Sequence, residues 1–391
     1  MIVLIFALAF VAKTNYMAGI YVHIPFCKKA CHYCNFHFST THSLLPQMME
    51  SIAVEIRFRK DYLTTPVSTI YFGGGTPSIC SNEQLSMLIN ELKNAFTLTP
   101  DVEMTLEANP DDITIDKLLH WKAVGINRLS IGVQSFREED LQWMNRAHNA
   151  SQAATAILLA KENGFDNISI DLIYGTPTLS DEQWQQNVQT AISLQVPHLS
   201  CYALTVESKT ALDKMIERKK IEAPDPEKQA RHFELLMEWM EAAGYEHYEI
   251  SNFAKPNMRS KHNSSYWQGE HYIGLGPAAH SFNGNSRQWN IANNALYIQG
   301  IAAGNVPFEM EELTPIQALN EYIMTSLRTS EGLSFEQVKC NWDEEKAMEI
   351  RKNAAIYIQQ ENAVINNEFL QLTSKGKLLA DGIAADLFFT T

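Results

Sequence analysis

The sequence is short of cysteine, of basic charge and of long apolar runs, and each shortage excludes something. Six cysteines stand among 391 residues, with Cys27, Cys31 and Cys34 close together and Cys80, Cys201 and Cys340 scattered. That is no disulfide framework, so a reducing compartment is expected and the scattered three read as inert buried thiols. Basic residues number 31 against 45 acidic, a net charge of −14, which argues against a broad grip on nucleic acid. The densest basic run, Arg218-Lys219-Lys220, is short enough to be a solvated helix end. Low-complexity tracts and short repeats are missing too, and 45% hydrophobic with 19% charged residues places the chain among globular proteins rather than disordered ones.

The one marked apolar run, residues 1–12, falls short of the ~20 residues a spanning helix needs and lacks the positive start of a signal peptide. Met17 opens a stretch, Met-Ala-Gly-Ile-Tyr-Val-His, that reads as a start just before a strand. Residues 1–16 are therefore expected to be an upstream extension that the fold does not need.

What is present centres on Cys27, Cys31 and Cys34, spaced four and three residues apart. Three thiolates on one short loop can each hold one iron of a cubane cluster and leave the fourth iron open. The same thiols also suit a Cys3His zinc site completed by His23, His32 or His37, or three unconnected buried cysteines.

From residue 20 onward, short β-rich runs at 20–26, 68–72, 102–106, 128–133, 167–173 and 198–204 alternate with amphipathic stretches at 44–60, 82–96, 114–124, 151–163 and 181–194. Strand then helix, repeated, predicts an α/β fold with a parallel sheet. The strands read as continuous apolar runs covered on both faces, and Gly125, Gly164 and Gly244 sit where left-handed helix caps are common. Six units are two short of a closed eightfold barrel, so a partial barrel and a doubly wound sheet both fit.

Each run ends in something polar or backbone-exposing: Cys27, then Gly73-Gly-Gly-Thr-Pro77, Glu107-Ala-Asn-Pro110, Gln134-Ser135, Asp171 with Gly175-Thr-Pro177, and Tyr202 to Glu207. Strand C-termini and their loops build the active sites of βα-barrels, so these six contributors predict one shared cavity. Glycines there allow close backbone approach to a ligand. Glu107, Gln134 and Asp171 supply acceptors for an ammonium and for hydroxyls, and Arg146 can pair with a carboxylate.

Val22-His-Ile-Pro-Phe-Cys27, Tyr71-Phe-Gly-Gly-Gly-Thr-Pro-Ser78, Leu106-Glu-Ala-Asn-Pro110, Arg128-Leu-Ser-Ile-Gly-Val-Gln-Ser-Phe136, Asn145-Arg-Ala-His148 and Ile170-Asp-Leu-Ile-Tyr-Gly-Thr-Pro177 follow in an order that resembles the radical S-adenosylmethionine (SAM) family of oxygen-independent coproporphyrinogen III oxidases and their relatives. The resemblance implies a partial (β/α)6 TIM-like barrel with a smaller helical, winged-helix-like C-terminal domain. It implies a [4Fe-4S] cluster on Cys27, Cys31 and Cys34, with SAM contacts from Tyr21, Tyr33, Gly74, Gly75, Thr76, Glu107, Gln134, Arg146, Asp171 and Ala203.

Two departures point from the oxidase to its haem-chaperone relatives. The oxidase motif has a fourth cysteine where this chain has Phe36, and little sequence precedes the loop. The chaperones also carry a His-Asn-x-x-Tyr-Trp motif, matched by His262-Asn-Ser-Ser-Tyr-Trp267. An imidazole can ligate haem iron and aromatics can lie on a porphyrin face, so His262 is expected as a haem ligand, although alone it would read as a hydrogen-bonded loop histidine. His280, in the glycine-rich turn after Tyr272, is expected to help close the site.

The resemblance further implies haem as cargo, haem-requiring acceptors that include respiratory membrane enzymes, a homodimer, and a cytoplasmic location with transient membrane association through the acceptors. No nucleic-acid partner is expected. The expected organisation is a core over 17–250, a haem-motif and connecting region over 251–312, and a C-terminal domain over 313–391. The rival expectation is the oxidase itself.

Overall fold

In the computed structural model, residues 17–390 are described, and the expected extension at 1–16 lies outside them. Six strands, Ala18–Ile24 (β1), Val67–Gly74 (β2), Leu98–Ala108 (β3), Arg128–Gln134 (β4), Ile168–Tyr174 (β5) and His198–Ala203 (β6), pair in chain order and all in parallel. The helices between them begin cleanly. Ser81, Asn149 and Ser180 each accept from the backbone N–H three residues on, while Gln84, Gln152 and Gln183 bond back to the cap, which satisfies donors a helix start otherwise leaves orphaned. Gly125 ends the helix Ile115–Val124 at φ +108°, a left-handed cap that a side chain would oppose.

The sheet continues past both ends of the partial barrel. Beside β6 run Glu246–Glu249 (β7) and Asn252–Ala254 (β8), antiparallel. Beside β1 lies His271–Leu275 (β9), parallel to it, followed by His280–Phe282 (β10), Ser286–Asn290 (β11) and Phe308–Glu312 (β12). The region expected as a connector therefore adds strands β8 to β12 to the main sheet, which counts twelve strands among the described residues. From Leu319 to Leu387 a second apolar core gathers helices around the small sheet Leu333–Ser334 (β13), Ala363–Asn366 (β14) and Phe369–Leu372 (β15). No helix among the described residues is long and apolar enough to cross a membrane.

The expectation of continuously apolar strands is corrected. In β4, Leu129, Ile131 and Val133 are fully buried in the core, whereas Arg128, Ser130, Gly132 and Gln134 line a cavity. The same parity separates Ile168, Ile170 and Leu172 from Ser169 and Asp171 in β5. Period two puts alternate side chains on opposite faces. Here the outer face packs on helices and the inner face makes a polar lumen. A second correction concerns Cys340, which is exposed, while Cys80 and Cys201 are buried as expected; all six cysteines are free thiols.

Candidate functional site

The cysteine loop is held at its base by backbone. Cys27 N–H donates to Ser39 O (3.0 Å), His32 N–H to Met144 O (3.2 Å) and Leu212 N–H to His32 O (2.8 Å). Glycine at 75 is required at this junction: a Cβ there would lie 2.5 Å from Phe26 O and 2.7 Å from Ile24 O. Its bare backbone instead donates from Gly75 N to Ile24 O (2.9 Å), and Thr76 N to Phe26 O (2.7 Å). The triple glycine thus brings the end of β2 onto the segment that delivers Cys27, besides leaving backbone open to the cavity.

That cavity, of about 410 Å³, runs from the three thiols into the lumen. Tyr33, Gly74, Gly75, Thr76, Glu107, Gln134, Arg146, Asp171 and Ala203 all line it, so nine of the residues expected from sequence share one wall. Tyr21 and His262 do not. Tyr21 stacks on Tyr71, and its hydroxyl sits 3.2 Å from His23 Nδ1. His262 is 1% exposed, with Nδ1 2.8 Å from Thr69 Oγ1 and Nε2 2.9 Å from Tyr266 Oη. Desolvation, with the nearby Arg128 cation, lowers its pKa to about 3, so the ring is neutral. His280 lies outside the cavity, exposed on β10 with its ring stacked on Trp289.

Arg146 joins the loop to the lumen. Its Nη1 reaches Cys31 Sγ at 3.3 Å, and Nη2 donates to Asn109 Oδ1 (2.8 Å) and Gly132 O (2.7 Å), while Nε is buried without an acceptor. The surface ion pair that is the ordinary fate of an arginine is not its role here. Desolvation pushes the Cys27 thiol up to about 11, and the neighbouring Cys34 and Cys31 add to the shift, against a hydrogen bond from Thr76.

Across the lumen, desolvation lifts the Glu107 carboxyl to about 7, opposed by the Tyr71 hydroxyl, which donates to it at 2.8 Å, and reinforced by Asp171. Asp171 itself is lifted to about 6 by desolvation, opposed by Ser200. Both carboxyls therefore hold protons more tightly folded than unfolded, and stability falls as pH rises through this window. The ligand-free protein is expected to lose up to about 3 kcal/mol between about pH 5 and about pH 8, with Glu107→Gln flattening the slope. Urea midpoints at the two pH values check this; an unchanged midpoint in the parent would remove the carboxyl strain.

The residues present fit a cubane better than a single ion. Among the described residues no three His, Cys, Asp or Glu side chains converge closely enough to share one metal. Of the histidines a zinc site would need, His23 has both ring nitrogens hydrogen-bonded, Nε2 with His37 O (2.9 Å) and Nδ1 with Tyr21 Oη (3.2 Å), while His32 and His37 each have one bonded, Nδ1 with Trp143 O (2.8 Å) and Nε2 with Asn294 Oδ1 (2.7 Å). A cubane instead takes each thiolate at a different iron.

Comparison with known proteins supplies the family. The Radical SAM superfamily description matches residues 21–191. The protein named "Heme chaperone HemW" from Bacillus subtilis is 34% identical over 370 residues, covering 90% of this chain and 98% of that one. The chain belongs to the HemW family. A HemW of Mycobacterium tuberculosis (strain ATCC 25618 / H37Rv) is likewise 34% identical, over 94% of each chain. Among solved structures, the coproporphyrinogen III oxidase HemN from Escherichia coli, a radical SAM enzyme, superposes with a TM-score of 0.83 at 25% identity, covering 96% of this chain and 90% of that one.

Within this HemW-family chain, sequence reasoning missed several residues of the cavity wall: Tyr71, Arg128, Asn263 and the serines 130, 169 and 200. The signal was available as polar residues at every second position of β4 and β5, which a period-two reading would have collected. Phe36, at the place of the oxidase's fourth cysteine, is 68% exposed and lines the cavity mouth.

Proposed function

We propose that this chain is a haem chaperone that holds a [4Fe-4S] cluster on Cys27, Cys31 and Cys34, binds SAM beside it, and carries haem to haem-requiring proteins, including membrane-bound respiratory enzymes. The observation that carries this reading is the continuity of three free thiols with a polar lumen in one cavity. Similarity to proteins named haem chaperones over nearly their whole length supports the cargo. When bound, the cluster supplies an iron corner without a protein ligand, to which an amino acid head group can chelate.

The chain's own residues then have distinct tasks. Arg146 Nε has an unused donor for a carboxylate, and Gly74 to Thr76 present backbone. Glu107 and Asp171, both held partly protonated near neutrality, accept from an ammonium or from ribose hydroxyls once a ligand displaces water. Phe36 puts an apolar ring where the oxidase motif places a thiol, which favours carriage over oxidative decarboxylation. In this reading the protein acts in the cytoplasm and forms a homodimer.

For His262, a neutral ring suits iron ligation, but Nε2 is spent on Tyr266. It ligates haem only by exchanging that bond for iron. Tyr266→Phe is therefore expected to raise haem affinity about fivefold, the worth of a hydrogen bond of ~1 kcal/mol; unchanged affinity would remove His262 as the ligand.

The whole reading is tested on one anaerobically reconstituted sample given haem with an apo-acceptor, and separately coproporphyrinogen III. Haem binding and transfer without decarboxylation is expected. Stoichiometric protoporphyrinogen formation would overturn the chaperone reading in favour of the oxidase.

A further inference from the structure

The floor of the lumen holds a cation that none of the tasks above uses. Arg128, the first residue of β4, lies six residues before Gln134, about 20 Å along the strand from that cavity-lining end of β4. It is 1% exposed and lines the cavity, yet its Nε and Nη2 have no acceptor. A buried guanidinium left unpaired is costly to fold. Thr105, its cross-strand partner in β3, has a buried hydroxyl that is also without a partner.

The groups around Arg128 are engaged with one another. His198 spends Nδ1 on Ser169 Oγ (2.7 Å) and Nε2 on Tyr248 Oη (2.7 Å), and His262 spends both nitrogens on Thr69 and Tyr266. Glu103 accepts the N–H groups of Lys261 (3.2 Å) and His262 (3.1 Å) at the start of the helix Lys261–Trp267. Glu107 accepts from Tyr71, and Asp171 is hydrogen-bonded with Ser200. The helix under the barrel sends one more polar side chain, Asn263, to the cavity wall.

Nε–H and one Nη2–H lie parallel along a single edge of a guanidinium, the edge that takes the two oxygens of a carboxylate side-on. We propose that Arg128 anchors a carboxylate subsite at the lumen floor, separate from the thiol end, with Asn263 beside the bound group. Its occupant is a carboxylate, either of a small organic acid or of a porphyrin propionate. The second source rests on the haem-carrier reading; the subsite itself does not.

The test compares cluster-reconstituted parent with Arg128→Lys, which keeps the charge and removes the side-on edge. One arm titrates propionate and succinate by calorimetry; the other compares haem with haem dimethyl ester, which lacks free carboxylates. If the occupant is a small acid, the parent binds propionate or succinate and Arg128→Lys weakens that binding about tenfold or more. If it is a porphyrin propionate, the dimethyl ester binds the parent about tenfold more weakly than haem, and the difference disappears in Arg128→Lys. Should that variant not fold, Asn263→Ala serves instead, with a several-fold loss expected in the same arm. Equal affinities in parent and variant in both arms, or no carboxylate dependence in the parent, would overturn the subsite. Failure of haem transfer with the small-acid arm intact would count against the carrier reading alone.

Discussion

Cys31→Ala is expected to strip the reconstituted protein of iron, from about four atoms per chain to nearly none, while the chain still folds. The loop owes its shape to backbone bonds at Cys27, His32 and Leu212 and to Asn145 Nδ2, which donates to Ala30 O at 2.8 Å. Among the described residues one hydrogen bond uses the Cys31 sulfur, the 3.3 Å approach of Arg146 Nη1, and Arg146 keeps its bonds to Asn109 and Gly132 without it. Stability should therefore change by less than about 1 kcal/mol. Cys80→Ala, at a buried thiol away from the cavity, should keep the full iron complement. Iron analysis with the visible spectrum reads both. Full iron in Cys31→Ala would remove the loop from cluster binding.

Glu55→Ala should have the largest effect on stability, a loss of about 3–5 kcal/mol. The Glu55 side chain is fully buried in the helix Leu45–Phe58. One oxygen accepts from Asn290 Nδ2 (2.7 Å) and Arg59 Nη1 (3.3 Å), the other from Gly276 N (2.7 Å) and Tyr297 Oη (2.6 Å). Alanine would leave a buried cation without its counter-charge, although Arg59 still reaches Gly274 O and Ser281 Oγ. The consequence extends to the site. Gly276, at φ +96°, passes so close to His23 that a Cβ would lie 2.4 Å from its carbonyl oxygen. The carboxylate thus seats the turn after β9 against β1, which leads to Cys27. Urea unfolding checks the magnitude; a loss under about 1 kcal/mol would show that the cluster tolerates an empty centre.

These effects mark the boundary of what a linear reading reaches. The cysteine spacing, the glycine edge and the strand-helix rhythm are local, so they were legible, and the strands fell within a few residues of their expected places. The capping boxes also lie in short sequence. Glu55 carries no such signal, because its partners come from residues 276, 290 and 297. Nor does His262: a His-Asn-x-x-Tyr-Trp motif does not reveal that the helix bearing it lies under the barrel, with its first amides on Glu103.

The sequence by itself determined the parallel α/β architecture, the cysteine loop and most of the polar wall at the strand ends, because each depends on spacing along the chain. Only the tertiary structure decided that the strand polarity is turned inward, that Tyr21 and His262 stand off the cavity, and that Arg128 faces it unpaired. The reason is register. Alternation says that two faces differ, but which face becomes the lumen, and which groups meet across it, is set by pairing with strands and helices far away in sequence.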